Sequence, residues 1–193
     1  MVRVAGEPFI AHQLRQLAAM GLGRVVLCLG FGGDTILEYV GDGRRFDLEV
    51  MYSHDGAQLL GTGGALRRAL PHLSNRFFVL YGDSYLPIEF RPVAQAFQIA
   101  KKPALMTVLQ NHGQWDASNA ALVDNRVLYN KRMPGPEMNH IDYGLGVLSA
   151  GVFENWPADC PFDLADLYQQ LSNQGDLAGF EVFTRFFEIG SPQ

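Results

Sequence analysis

The sequence has little of what marks several broad classes of protein. Its two cysteines, Cys28 in an apolar run and Cys160 beside a proline, form neither a disulfide framework nor a zinc-ligand pattern. Fifteen Lys and Arg against 20 Asp and Glu give a net charge of -5, so the basic footprint of a nucleic-acid binder is missing. An anionic ligand would need a local positive site. No apolar stretch approaches the length of a membrane span, and the N-terminus lacks the basic region, apolar run and small-residue site of a signal peptide. These absences predict a cytoplasmic protein with no nucleic-acid or membrane partner. The five histidines show no metal-ligand spacing, and no nucleophile and base set stands out. A dinucleotide-dependent oxidoreductase is also disfavoured, because "LGFGGD" comes closest to GxGxxG and its spacing is wrong.

What is present is an alternating pattern. Ile10, Leu14 and Leu17 recur at helical spacing and predict a helix from Phe9 to Met20, closed by Gly21. A strand over Val25–Leu29, a short helix with Asp34 as N-cap and a strand over Leu48–Tyr52 follow. "LLGTGGALRRAL" reads as a glycine turn opening a helix from about Thr62 to Leu70, and "RFFVLYGDS" as a strand covered on both faces. A helix over Val93–Ala100 and a strand over Ala104–Leu109 complete an α/β pattern with a mostly parallel sheet and helices on both faces. The rhythm then changes. "AALVDNRVLYNKR" predicts a hairpin turning at Asp124 and Asn125, and "IDYGLGVLS" a strand. A helix capped by Asp163 and closed by Gly175, then short strands near Gly179–Val182 and Arg185–Ile189, end the chain. At 193 residues this is one domain, with an α/β half over 1–110 and a half richer in strands over 111–193.

Four places could carry chemistry. Asp83 stands just past the carboxyl end of an apolar strand, where open α/β sheets bind ligands; it is either a metal ligand or a turn cap. The Gly61, Thr62, Gly63, Gly64 turn lacks the lysine of a P-loop, yet free N–H groups there could bind a phosphate or the acceptor edge of a base. The alternative is a tight connection. Lys131 with Arg132, and Asp142 and Tyr143 with Gly144, supply a cation and hydroxyl-binding groups suited to a phosphorylated sugar; singly, Lys131 reads as a surface lysine and Tyr143 as a core residue. Glu188 lies on a late strand, and if that strand ends beside Asp83 the two carboxylates would share one divalent ion.

The order of the segments "VAGEPF", "LGTGGALRRAL", "FFVLYGDS", "IDYGLGVLS", "PFDLADLY" and "FFEIGSP" resembles the sugar-phosphate nucleotidyltransferases over nearly the whole chain. The pattern looks most like the D-glycero-D-manno-heptose 1-phosphate guanylyltransferases. The resemblance implies a Rossmann-like fold with a mixed, mostly parallel sheet, a nucleotide-binding half over 1–110 and a sugar-phosphate-binding half over 111–193. It implies a Mg²⁺-dependent joining of a nucleoside triphosphate, GTP in that group, to a sugar 1-phosphate such as a heptose or mannose phosphate, with release of pyrophosphate. It implies that Asp83 is catalytic, borders the nucleotide as a nucleotide-binding residue and is a metal ligand, with Glu188 as the second ligand where many relatives have aspartate. It also implies that Lys131 is catalytic and holds the sugar phosphate, that Asp142, Tyr143 and Gly144 face the sugar, and that Gly61–Gly64 reads the base. Asn130 stands where the family has glutamate, and Glu7 where it has lysine.

The same resemblance implies that a first strand and its glycine-rich phosphate loop are missing, so that the sequence is a fragment or starts upstream of Met1. That strand would be central, and its neighbours would keep unpaired edges. Two function classes follow: a nucleotidyltransferase, or a non-catalytic module that holds a nucleotide or nucleotide sugar without releasing pyrophosphate. A homo-oligomer is left open.

Overall fold

The computed structural model describes residues 1–115 and 117–189. In chain order its elements are β1 (Arg3–Val4), β2 (Glu7–Pro8), α1 (Phe9–Ala19), β3 (Arg24–Leu29), α2 (Gly33–Val40), β4 (Glu49–His54), α3 (Gly61–Ala69) and β5 (Arg76–Leu80). They continue with β6 (Ser84–Tyr85), α4 (Phe90–Ala100), β7 (Ala104–Gln110), β8 (Ala120–Val123), β9 (Arg126–Tyr129), β10 (His140–Ser149), α5 (Leu164–Gln174), β11 (Leu177–Val182) and β12 (Phe187–Glu188).

Local chemistry explains most boundaries. Asp163 caps α5 by accepting the Ala165 N–H, and Gly175 closes that helix at φ +72°. Asp124 and Asn125 both take left-handed φ, which suits the two-residue turn joining β8 to β9. Asp34 does not cap α2. The helix starts two residues earlier than that cap implies, with Gly32 at φ +72° in the cap position, and Asp34 instead lies in the first turn, where its charge favours the positive end of the helix.

The main sheet has the order β5-β10-β7-β11-β9-β8. It is mixed, as the resemblance implies, but parallel pairs do not predominate: β10 runs antiparallel to both β5 and β7, and in this sheet only β7 and β11 pair in parallel. The return strand β10 lies between strands that point the same way. Helices cover both faces as expected. Ala104, Met106 and Val108 of β7 pack into a cluster with Leu164, Leu167 and Leu171 of α5, while Leu105 and Leu109 face a cluster holding Val93 and Phe97 of α4. That alternation is the period-two signature of a strand covered on both sides.

β3 and β4 form a separate parallel pair, linked in a third cluster to Ala11 and Leu14 of α1 and Val40 of α2. The Arg24 guanidinium at the start of β3 bonds the His72 carbonyl, four residues before β5 begins. The two strands therefore enter from the same end, yet they are not hydrogen-bonded to each other.

Candidate active site

The apolar strand β5 delivers Gly82 and Asp83 to the carboxyl end of the sheet, as the sequence predicts. Asp83 is exposed, and its Oδ1 accepts the Ser84 hydroxyl at 3.2 Å. From the other end of the chain, β12 pairs antiparallel with β6, so Glu188 stands opposite Ser84. The Ile189 N–H donates to the Asp83 carbonyl at 2.9 Å. α1 braces this turn: Gln13 Nε2 donates to the carbonyls of Tyr81 (3.2 Å) and Ser84 (2.8 Å). Two acidic residues from distant parts of the sequence thus share one rim. Among the described residues no group of three or more His, Cys, Asp or Glu could hold a metal ion by itself. Two exposed carboxylates do fit Mg²⁺, which commonly takes one or two carboxylates and fills its shell with phosphate oxygens and water.

Beside this rim lies a polar cavity of about 220 Å³, lined by Lys131, Asp142 and Glu188 with Tyr81, Asn119 and Tyr129. Asp142 is placed by an irregularity in β10, whose register against β7 slips between Asp142 and Gly146. Gly144 sits in that slip at φ +91°, a conformation that a side chain would strain, and its N–H donates to Asp142 Oδ1 at 3.0 Å. The Asp142 N–H in turn donates to Asn119 Oδ1 at 3.0 Å. Burial pushes the Asp142 carboxyl up to about 6; the Gly144 N–H and the Lys131 charge pull it down, and the Glu188 charge pushes it further up. At neutral pH it is mostly an anion, able to accept hydrogen bonds from hydroxyls.

Lys131 is exposed and reaches Asp163 Oδ2 at 3.7 Å. Burial works against ionisation of Asp163, but the Ala165 N–H, the Thr62 hydroxyl and Lys131 outweigh it and hold that carboxyl below its ordinary range. Thr62 donates to Asp163 Oδ1 and accepts the Leu164 N–H, both at 2.9 Å. Asp163 therefore joins the glycine-rich segment to Lys131. The sequence marks it only as a helix cap.

Three expectations change. Gly61–Gly64 is not a turn before α3 but its first turn. The N–H groups of Gly63 and Gly64 are not free: both donate to the Phe162 carbonyl, at 3.0 and 3.3 Å, and the Phe162 ring lies against Gly63. Gly61 and Thr62, by contrast, line a larger cavity next to Gly82. Tyr143 does not join Asp142 at the polar cavity. Its ring packs edge-on against Phe186 at 5.5 Å within the cluster on the α4 side, its hydroxyl is buried without a partner, and burial pushes the phenol up to about 12. Tyr81, Asn119 and Tyr129 are cavity residues that sequence reasoning missed. Tyr81 had a signal in preceding Gly82 and Asp83 at a strand end; Asn119 had none.

No family profile matches the chain. It is 37% identical over 82 residues to the bifunctional protein GlmU of Chromobacterium violaceum, which covers 42% of this chain and 17% of that one. It is 34% identical over 101 residues to an N-acetylmuramate alpha-1-phosphate uridylyltransferase of Neisseria meningitidis, covering 52% and 42%. These two matches thus span less than half of the relatives they touch. Over its full length it is 21% identical to a D-glycero-alpha-D-manno-heptose 1-phosphate guanylyltransferase of Campylobacter jejuni, covering 85% of that protein. The crystal structure of HddC from Yersinia pseudotuberculosis complexed with GMP-PN overlays on all of this chain with a TM-score of 0.76 at 22% identity, covering 84% of that chain. The shared fold and the full-length matches make this chain a homologue of the sugar-phosphate nucleotidyltransferases.

Proposed function

We propose that this chain joins a nucleoside triphosphate to a sugar 1-phosphate, giving a nucleotide sugar and pyrophosphate in the cytoplasm. One observation supports this reading above the others: Lys131, Asp142 and Glu188, from three separate segments, line one polar cavity at the rim that carries Asp83. An oxygen of the sugar phosphate attacks the α-phosphorus in line, and the bond to the pyrophosphate leaving group breaks. That reaction needs positioning and neutralisation of charge more than covalent help.

In this reading Lys131 binds the phosphate of the sugar, and Asp142 accepts hydrogen bonds from its hydroxyls. Gly61 and Thr62 border the nucleotide. Asp83 and Glu188 would hold Mg²⁺, which neutralises phosphate oxygens when bound. The full-length heptose guanylyltransferase relatives support GTP and a heptose or mannose 1-phosphate as the first pair to try.

The second reading, a module that holds a nucleotide without turnover, draws on the Gly63 and Gly64 amides, which are already engaged by Phe162. The two readings separate in one experiment. The 193-residue chain is mixed with Mg²⁺, each common nucleoside triphosphate and a panel of sugar 1-phosphates, and products are identified by mass spectrometry. A nucleotide sugar is expected. Nucleotide binding without any product would favour the second reading.

A further inference from the structure

Asp163 is tied to more than the helix it caps. Its Oδ1 accepts two donors at once, the Ala165 N–H at 3.0 Å and the Thr62 hydroxyl at 2.9 Å, and Oδ2 is left facing the Lys131 ammonium at 3.7 Å. Thr62 is fixed in turn, because its Oγ1 accepts the Leu164 N–H. The backbone beside Asp163 is joined to the same place: the Phe162 N–H donates to the Leu60 carbonyl at 3.0 Å, just before α3. The carboxylate is therefore held in place without the lysine.

Lys131 is the mobile partner. Asn130 Oδ1 accepts the amides of Arg132 and Met133, at 3.2 and 2.9 Å, which turns the chain after β9, and Arg132 bonds Asp166 in the first turn of α5 at 2.7 Å. The backbone that carries Lys131 is thus docked on the start of α5, but its ammonium rides on a flexible four-carbon stem and is exposed. A charge-assisted hydrogen bond is about 2.7–2.9 Å long, so at 3.7 Å the lysine is steered by charge and not locked.

Capping does not explain why residue 163 carries a charge. Asn caps a helix as well as Asp does, and its amide oxygen can accept the Thr62 hydroxyl. What Asp adds is one negative charge, and Oδ2 places that charge on Lys131. It lies near a cavity whose proposed ligand is an anion, so it opposes binding by like-charge repulsion and by competing for the ammonium. Its return is position. Thr62 borders the larger cavity beside Gly82, Lys131 lines the polar one, and Asp163 touches both residues.

We propose that Asp163 is a positioning residue for the transfer: it holds the Lys131 ammonium in line with the nucleotide segment through Thr62, and the phosphate of the sugar takes the lysine over from it. This rests on the reading of Lys131 as the sugar-phosphate cation. In-line attack depends on the relative placement of two substrates whose binding residues come from distant segments, and a misplacement of about 1 Å can cost a hundredfold in rate.

The test separates affinity from turnover. Asp163→Asn keeps the cap and the acceptor for Thr62 and loses only the charge, so Tm should stay within about 2 °C. Its affinity for mannose 1-phosphate, measured by calorimetry without nucleotide, should improve about two- to fivefold, as expected when an exposed competing anion is removed. With GTP and Mg²⁺, kcat should fall about tenfold or more while KM for GTP stays within about twofold. A residue that only caps α5 would move neither affinity nor kcat in this variant, and unchanged values, or weaker binding of mannose 1-phosphate, overturn the proposal. A second measurement reads the link to Thr62. Thr62→Val should alter the affinity for mannose 1-phosphate about twofold or more in the parent and leave it unchanged in Lys131→Met; equal effects in both backgrounds would break the link. If the parent binds mannose 1-phosphate but forms no nucleotide sugar, the enzymatic reading fails and the two affinity measurements still decide the role of Asp163. If the parent binds neither mannose 1-phosphate nor inorganic phosphate, Lys131 is not a phosphate site and the proposal fails with it.

Discussion

The Ile189 N–H donates to the Asp83 carbonyl at 2.9 Å, and this one backbone bond ties the end of the described chain to the turn that follows the apolar strand β5. Its consequence is chemical. With Glu188 opposite Ser84 in the same ladder, two carboxylates that sequence alone could only suppose to be neighbours share an exposed rim.

Asp83→Asn keeps the shape of the turn and removes a charge. Because a divalent cation on phosphate oxygens is worth several kcal/mol of transition-state stabilisation, the expected loss in Mg²⁺-dependent pyrophosphate release is about 100-fold or more. Glu188→Gln should cost less at saturating Mg²⁺ and raise the Mg²⁺ concentration for half-maximal rate. Both variants should unfold within about 2 °C of the parent, since the two side chains are exposed. Unchanged rates in both would remove the pair from the mechanism.

Lys131→Met keeps the apolar stem and loses the ammonium. A hydrogen bond to a charged group contributes about 1.5–3 kcal/mol, so KM for the sugar 1-phosphate should rise roughly tenfold to a hundredfold. KM for the nucleoside triphosphate should stay within about twofold. Stability should hardly change, because the Lys131 and Asp163 side chains are 58% and 47% exposed and such pairs contribute little. A KM increase for the nucleotide instead would place Lys131 on the wrong substrate.

The sequence was most legible where one physical rule acted alone. The Asp124–Asn125 turn, the Asp163 cap and the Gly175 stop depend on their own residues and neighbours, and all three are present in the structure. It was least legible where long-range pairing decides. Nothing local says that β10 inserts between β5 and β7, which is why the sheet is mixed. Tyr143 shows the same limit at the site: it adjoins Asp142 in sequence, but strand alternation turns its ring toward the α4-side core. Gly63 and Gly64 read as open amides because the Phe162 carbonyl that satisfies them lies far along the chain.

Asp142 makes stability depend on pH. Its carboxyl is raised from 3.8 to about 6, mainly by burial, so the folded chain holds this proton more tightly than the unfolded chain. Between about pH 4 and pH 6 the native state binds more protons, and stability from this group therefore falls as pH rises through that window. Asp142→Asn removes the titration. Measured by urea unfolding without divalent cations or ligands, the variant's stability relative to the parent should improve with pH, by up to about 3 kcal/mol between pH 4 and pH 7. A pH-independent difference would show that Asp142 ionises normally.

Gly63→Ala tests whether the glycine-rich segment is closely packed or open backbone. A Cβ at Gly63 would clash with the Phe162 ring, and Phe162 cannot retreat freely because it stacks on Trp156 at 4.1 Å and its carbonyl holds the Gly63 and Gly64 amides. Overpacking of this kind costs about 1–3 kcal/mol, so a Tm loss of several degrees is expected. Gly82→Ala is the contrast, since a Cβ there meets nothing within 4 Å and should leave Tm within about 2 °C. Pairing Gly63→Ala with Phe162→Leu should return part of the loss, giving a coupling energy of about 1 kcal/mol in a double-mutant cycle. Additive effects would mean that the ring does not cover Gly63 in solution, and the amides of this first turn would again be open to a nucleotide.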